Sequence, residues 1–198
     1  MPKIVDHDAR RRLIIGSVWA LIGRRGLASV TMRELAAEAG LANGGLAPYF
    51  RDKDEILLAA FRYACDATER RLDPTVASYA ESSGLTALRA LCHELLPLDD
   101  LRLLEARVVI AFCDRALYDP RMSSAYEATT TRWRTLMHNC LAQARILGEV
   151  TTSTPDERIV ETLVAVVLGF QANAVLTPAA TTPERQLEVL EGLLESYA

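Results

Sequence analysis

Apolar residues return at helical spacing along almost the whole chain, and the breaks between runs fall on Gly, Pro and Asp. The first run predicts a helix over 8–25, with Leu13, Ser17, Ala20 and Leu21 on one face, Ile14, Val18 and Ile22 beside it, and Gly26 ending it. Shorter runs predict helices over about 32–39 and 43–49, and a long one over 53–79, interrupted or bent near Pro74. The next helix, over 84–96, places Leu85, Leu88, Cys92 and Leu95 on one stripe. A helix over 99–117 carries Leu101, Leu104, Val108 and Phe112, with Glu105 inside the stripe. Over 120–146, Tyr126, Thr130, Trp133, Met137, Cys140 and Ala144 keep the same spacing. The helix over 156–176 is apolar nearly all round from Leu163 to Leu176, so it needs partners on two sides. Thr182 and Pro183 form an N-cap and N1 pair for a last helix over 183–197, with Leu187, Leu190, Leu194 and Tyr197 on one stripe and Val189 and Leu193 on another.

The punctuation is densest between Thr31 and Lys53. Thr31 and Glu34 have the T-x-x-E spacing of a capping box, in which the hydroxyl takes a free amide and the carboxylate reaches back. Leu35, Ala36 and Ala39 give that short helix an apolar face, and Gly40 suits the left-handed position that ends it. Leu41 can tuck into the gap before a second short helix, and Asp52 and Glu55 repeat the capping spacing for a third. Helix, glycine turn, helix is the helix-turn-helix plan, whose second helix enters the DNA major groove.

Charge sharpens this picture. Residues 1–53 hold nine Lys and Arg against five Asp and Glu, a net of +4, while 54–198 carry a net of −8. A basic head on an acidic body places a polyanion at the head. Arg10, Arg11 and Arg12 form either a solvated basic face or contacts to phosphate or minor groove. Half of the 198 residues are hydrophobic, no stretch of about 18 apolar residues lacks charge, and the first residues have no apolar run of a secretory signal. A cytoplasmic protein is expected, with no membrane span. The four cysteines are far apart, so free thiols are expected. No spacing suits zinc, nucleophilic catalysis or a phosphate loop, so neither metal nor other cofactor is expected and an enzyme reading has no residues to stand on.

The run Thr31-x3-Leu35-Ala36-x2-Ala39-Gly40-Leu41-x2-Gly44-x-Leu46-x2-Tyr49-Phe50-x2-Lys53 resembles the signature of the TetR family of transcriptional regulators, over about twenty positions without a gap. The tail resembles the branch of that family containing the choline-responsive repressor of betaine synthesis. The resemblance implies an all-α chain: a three-helix helix-turn-helix head over 1–53, with its motif at 31–50, then a ligand-binding and dimerisation body of about six helices over 54–198. Three departures matter. Ala42 stands where the family usually has a capping serine, Ala47 where it often has tyrosine, and Pro48 removes an amide and would clash with the Gly44 carbonyl in a regular helix. The recognition helix is therefore expected to be one to two turns long. The expected DNA-contact set is Thr31, Arg33, Ala42, Asn43, Gly44, Gly45, Ala47, Tyr49 and Lys53. Within it Arg33, Tyr49 and Lys53 reach phosphate, Asn43 faces an adenine edge, and the glycines allow close backbone approach.

In the body, Glu105 interrupts an apolar stripe and must be paired or wet. Either it pairs with an arginine such as Arg107 or Arg132, or it joins Phe112, Tyr126, Trp133, Met137, Phe170 and Asn173 around an effector pocket suited to an organic cation. A dimer interface is expected on Leu163, Val167, Phe170, Leu187, Leu190 and Leu194. His93 and His138 are expected at the surface. Together these readings predict a homodimeric repressor that binds a double-stranded operator and is released by a small molecule. An activator or effector-independent regulator on the same fold is the alternative, and an all-helical enzyme or protein adaptor is the reading from another class.

Overall fold

The computed structural model describes residues 7–79 and 83–198, and for 73–79 it describes the helical backbone alone. Among the described residues there are eight α-helices and no strand: α1 (His7–Arg25), α2 (Met32–Glu38), α3 (Lys53–Tyr79), α4 (Gly84–Leu95), α5 (Asp100–Ala116), α6 (Pro120–Ile146), α7 (Asp156–Leu176) and α8 (Pro183–Glu195), with single 3-10 turns at Leu27–Ser29 and Pro178–Ala180. The expected arm before His7 lies outside the described residues. So do the side-chain surroundings of Pro74, where a bend was expected, while the helical backbone of α3 runs through that position.

The chain folds as two compact units, Met1–Asp66 with Leu104–Ser123, and Ala67–Leu103 with Ser124–Ala198. In the first unit α1 buries Ile14, Ile15, Val18, Trp19 and Ile22. The face centred on Leu13 and Ser17 is therefore not the inner one: Leu13 is 65% exposed, and the adjacent stripe takes the core because α2 and α3 residues meet it there. Phe61 of α3 and Phe112 of α5 stack at 3.9 Å with their planes 6° apart, an apolar contact that removes both rings from water. Glu105 of α5 is buried in this unit, whereas Leu101 at the start of the same stripe is 46% exposed.

The second unit has one continuous core. Leu88, Leu91, Cys92 and Leu95 of α4, Met137, Cys140, Leu141 and Ala144 of α6, Ile159, Val160, Leu163 and Val167 of α7, and Leu190 and Leu194 of α8 build it. Helices α4 and α6 meet closely at Gly84, where a Cβ would lie 2.2 Å from the Ala144 amide nitrogen. Polar groups buried here are tied to backbone: Gln171 donates to the Leu95 carbonyl at 2.9 Å, and Gln186 to the Thr181 carbonyl at 3.2 Å. Arg145 fastens the α6–α7 loop, pairing with Asp156 at 2.6 Å and donating to the carbonyls of Thr152 and Thr154. Helix α7 has the length and apolar composition of a membrane span, with mean hydropathy 1.9, yet its Ile159, Val160, Leu163 and Val167 lie in this core. All four cysteines are free, and burial pushes the Cys92 thiol up to about 12. His93, expected at the surface, is partly exposed there and bonds Glu191 at 3.0 Å.

Candidate nucleic-acid interface

The first half of the motif forms as its residues dictate. The Thr31 hydroxyl accepts the Glu34 amide at 3.2 Å, and the Glu34 carboxylate accepts the Thr31 amide at 2.8 Å. This is the reciprocal capping box. These bonds, with Arg25 at 3.0 Å, push the Glu34 carboxyl down to about 2. At the other end Gly40 takes φ +66°, and the Leu41 amide returns to the Ala36 carbonyl at 2.8 Å. Leu35 and Ala36 are buried beneath.

The second half departs from expectation. Residues 43–49 form a succession of turns and no helix. The Gly45 amide donates to the Ala42 carbonyl, the Ala47 amide to Gly44 and the Tyr49 amide to Leu46, each at 2.8–3.0 Å. Two residues explain the loss. Gly44 sits at φ +83°, outside the right-handed helical region, and Pro48 has no amide to give to the Gly44 carbonyl. Leu46 and Phe50, both almost wholly buried, anchor the segment from below. Ala42, Asn43, Gly44 and Ala47 are exposed on it, and Gly45 and Tyr49 are half-buried.

The start of α3 closes the segment. Asp52 caps it by accepting the Glu55 amide at 2.8 Å, while the Glu55 carboxylate accepts the amide of Arg51, one residue earlier than a capping box requires. These amide bonds hold both carboxyls below their ordinary range, against some loss from burial. Arg11 reaches in from α1. Its Nη1 donates to the Tyr49 carbonyl, its Nη2 pairs with Glu55 at 3.0 Å, and its guanidinium lies 4.4 Å from the centre of the Phe50 ring. His7 lies 4.8 Å from the Tyr49 ring. Arg10, Arg11 and Arg12 form one basic run in the sequence. One signal separates them: Arg11 falls on the spacing of Ile15, Val18 and Ile22, the buried face of α1.

Of the expected phosphate contacts, Arg33 is exposed and carries no ion pair among the described residues. Lys53 is half-buried and donates to the Leu27 carbonyl at 3.3 Å, which leaves two of its three donors. It also borders an open groove of about 420 Å3 with Leu57, Asp114 and Arg115. The Thr31 hydroxyl is occupied by its cap.

The expected pocket residues are divided between the two units. Phe112 is fully buried on Phe61 and, with Glu105, belongs to the first unit. Trp133 and Met137 line a small cavity of about 10 Å3 in the second unit with Leu95, Thr130, Val164, Val167 and Leu168. The Trp133 indole nitrogen beside it is buried without a hydrogen-bond partner among the described residues. Tyr126 and Phe170 are half-buried and Asn173 is exposed, but none of the three lines that cavity. Arg132, one suggested partner of Glu105, pairs with Glu69 at 3.2 Å. Of the expected interface residues, Leu163, Val167, Leu190 and Leu194 are buried in the chain's own core, and Phe170 and Leu187 are half-buried.

The chain's relatives agree with this architecture. Residues 14–60 match the tetR family of bacterial regulatory proteins, and residues 84–198 match the C-terminal region of BetI-type transcriptional repressors. The HTH-type transcriptional regulator PksA of Bacillus subtilis is 27% identical over 197 residues, 99% of this chain and 93% of that protein. BetI of Serratia proteamaculans is 23% identical over 132 residues, 67% of each chain. A transcriptional regulator from Rhodococcus sp. Rha1 has the same fold at TM-score 0.81 and 27% identity, covering 94% of this chain and 95% of its own. A transcriptional regulator from Saccharomonospora viridis, solved in complex with choline, has it at TM-score 0.82 and 23% identity, covering 95% and 96%. With residues 14–60 and 84–198 both matched, this chain belongs to the TetR family of transcriptional regulators, with a BetI-type C-terminal region, and is a DNA-binding regulator and not an enzyme.

Proposed function

We propose that the chain is a homodimeric repressor that holds operator DNA through residues 1–53 and is released when a small molecule binds the body over 54–198. The observation that carries the DNA reading is the exposed turn at Asn43 and Gly44, flanked by exposed Arg33 on a head of net charge +4. Arg33 and Lys53 bind phosphate, and Tyr49 adds its hydroxyl. Asn43 meets a base edge, with backbone approach at Gly44 and Gly45 supplying the rest. The BetI-type match over 84–198 supports repression.

The dimer forms through α7 and α8, using their outward residues. Phe170 and Leu187 take part directly, and the buried leucines act by holding the two helices in place. The effector enters beside Trp133. The cavity there has room for about one water, so binding selects a wider state of the body whose paired heads no longer fit the operator. An organic cation is the first class to test, since the Trp133 ring offers a cation–π face, although none of the seven lining residues is acidic.

The test is direct. A duplex selected from a random library by the full-length chain is placed before a reporter gene and titrated in vitro. Repression predicts lower reporter output with the protein present and recovery with choline or a related cation. Output that rises with the protein identifies an activator instead. Arg33→Ala and Lys53→Ala should each flatten the salt dependence by about 0.9 per lost phosphate contact per subunit.

A further inference from the structure

We propose that Arg11 is a positioning residue for DNA recognition, holding the turns over 43–49 in their reading posture from α1 without touching DNA itself. The inference rests on the reading that this segment faces the bases. The segment is poorly self-supporting: its described amide bonds are mostly single i to i+3 turns, Gly44 is left-handed, and Pro48 donates nothing. Its posture is therefore set by the buried Leu46 beneath it and by its two ends. The leading end is held by the Gly40 turn, through the Leu41 amide on the Ala36 carbonyl at 2.8 Å. The trailing end is held by one guanidinium, which bonds the Tyr49 carbonyl, covers the Phe50 ring at 4.4 Å and pairs with Glu55 at 3.0 Å. The other oxygen of Glu55 accepts the Arg51 amide at 2.8 Å, so Arg11 and Glu55 together bracket the chain from Tyr49 to Arg51.

Arginine is needed for this geometry. A planar fork offers two diverging donors and a face for an aromatic ring, whereas lysine offers a single charged point. The arginine run is thus divided: Arg11 turns to protein, while Arg10 and Arg12 carry no ion pair among the described residues.

The experiment compares the full-length chain on its selected duplex and on a scrambled duplex of the same length and base composition. Arg11→Lys preserves the charge. It should weaken binding to the selected duplex by about tenfold, the scale of one lost charge-assisted hydrogen bond. Affinity for the scrambled duplex and the salt slope should stay unchanged, and the melting temperature should fall by only a few degrees. Glu55→Gln gives the sharper sign. Removing an acid from the head tightens binding to any DNA on charge alone, whereas the clamp predicts weaker binding to the selected duplex. If Arg11→Ala flattens the salt slope by about 0.9 per subunit and Arg11→Lys restores it, Arg11 is a phosphate contact and the proposal falls. Equal losses on both duplexes with a lower melting temperature would make Arg11 a general structural residue, which also overturns it. Asn43→Ala separates the two layers. If it leaves the selected-to-scrambled ratio intact, the segment is not the reader and the proposal falls with that reading. If it collapses the ratio while Arg11→Lys and Glu55→Gln do not, the clamp alone falls.

Discussion

The two halves of the motif, α2 and the segment 43–49, are each seven residues long and solve the problem of order in opposite ways. Helix α2 carries its own start in Thr31 and Glu34, its own stop in Gly40 and its own inner face in Leu35 and Ala36. The segment 43–49 has no cap and contains two residues that oppose a helix. It keeps its shape through two buried anchors, Leu46 and Phe50, and through Arg11 from 38 residues earlier. A short stretch can therefore be well placed without being well formed. In such a stretch the determinants of function lie outside it.

The largest expected effect tests whether the segment depends on its anchors. Phe50→Ala should cost about 3–5 kcal/mol and Leu35→Ala about 2–5 kcal/mol, since both side chains are almost fully buried. Native-state hydrogen exchange should then separate the halves. In a Phe50→Ala chain the amides of Ala47 and Tyr49 should lose protection while those within α2 keep it. Equal loss in both halves would show that they form one cooperative piece and would end the comparison. A smaller pair of effects comes from the two glycines. Gly40→Ala and Gly44→Ala should each cost about 1–2 kcal/mol, because both residues have positive φ and neither has a neighbour within 4 Å for a Cβ to meet. Denaturant melting checks both, and a cost near zero at Gly44 would mean that the turns relax into a short helix when φ is reversed.

What was legible in the sequence was local chemistry. The capping box at Thr31, the stop at Gly40 and the Thr182–Pro183 start of α8 depend on residues three or four apart, and each forms as its residues imply. Pro48 announced a damaged recognition helix, but the left-handed choice at Gly44 and not at Gly45 is made by tertiary context. Stripes were less informative, because a stripe names a face without naming what covers it. In α1 two stripes lie side by side, and the one beginning at Leu13 faces water. In α7 the apolar pattern continues nearly all round and in α8 it runs in two stripes, so Leu163, Val167, Leu190 and Leu194 read equally well as interface or core, and the chain's own core takes them. A stripe also does not say which unit a residue joins: Glu105 and Trp133 each sit on one, and they belong to different compact units. Arg11 was hidden for a related reason: its partners lie 38 and 44 positions away.

A cap should matter in the half that has one. Thr31→Ala should cost about 1 kcal/mol by removing an N-cap, while Asn43→Ala, exposed and without a side-chain bond among the described residues, should shift stability by less than about 0.5 kcal/mol. A comparable loss at Asn43 would show that it caps the turns.

The smallest effect is one of pH, and it also belongs to α2. The Glu34 carboxyl is pushed down to about 2, first by its bond from the Thr31 amide, then by the Thr31 hydroxyl and Arg25. Its folded value is below the ordinary 4.5, so the folded chain binds the proton less readily than the unfolded chain. Its contribution is fully present above about pH 4.5 and is lost as pH falls through 4.5 toward 2. Asp52 and Glu55 are also lowered, so the wild-type melting temperature alone cannot isolate the cap. The difference between Glu34→Gln and wild type can, because glutamine keeps an oxygen for the Thr31 amide but does not titrate. That difference should be largest near pH 6, in favour of wild type, and should shrink steadily down to pH 2, since only the wild-type side chain loses its charge. A constant gap over that range would mean that the carboxylate charge contributes nothing to the cap, and that α2 is held by its geometry and its buried Leu35 alone.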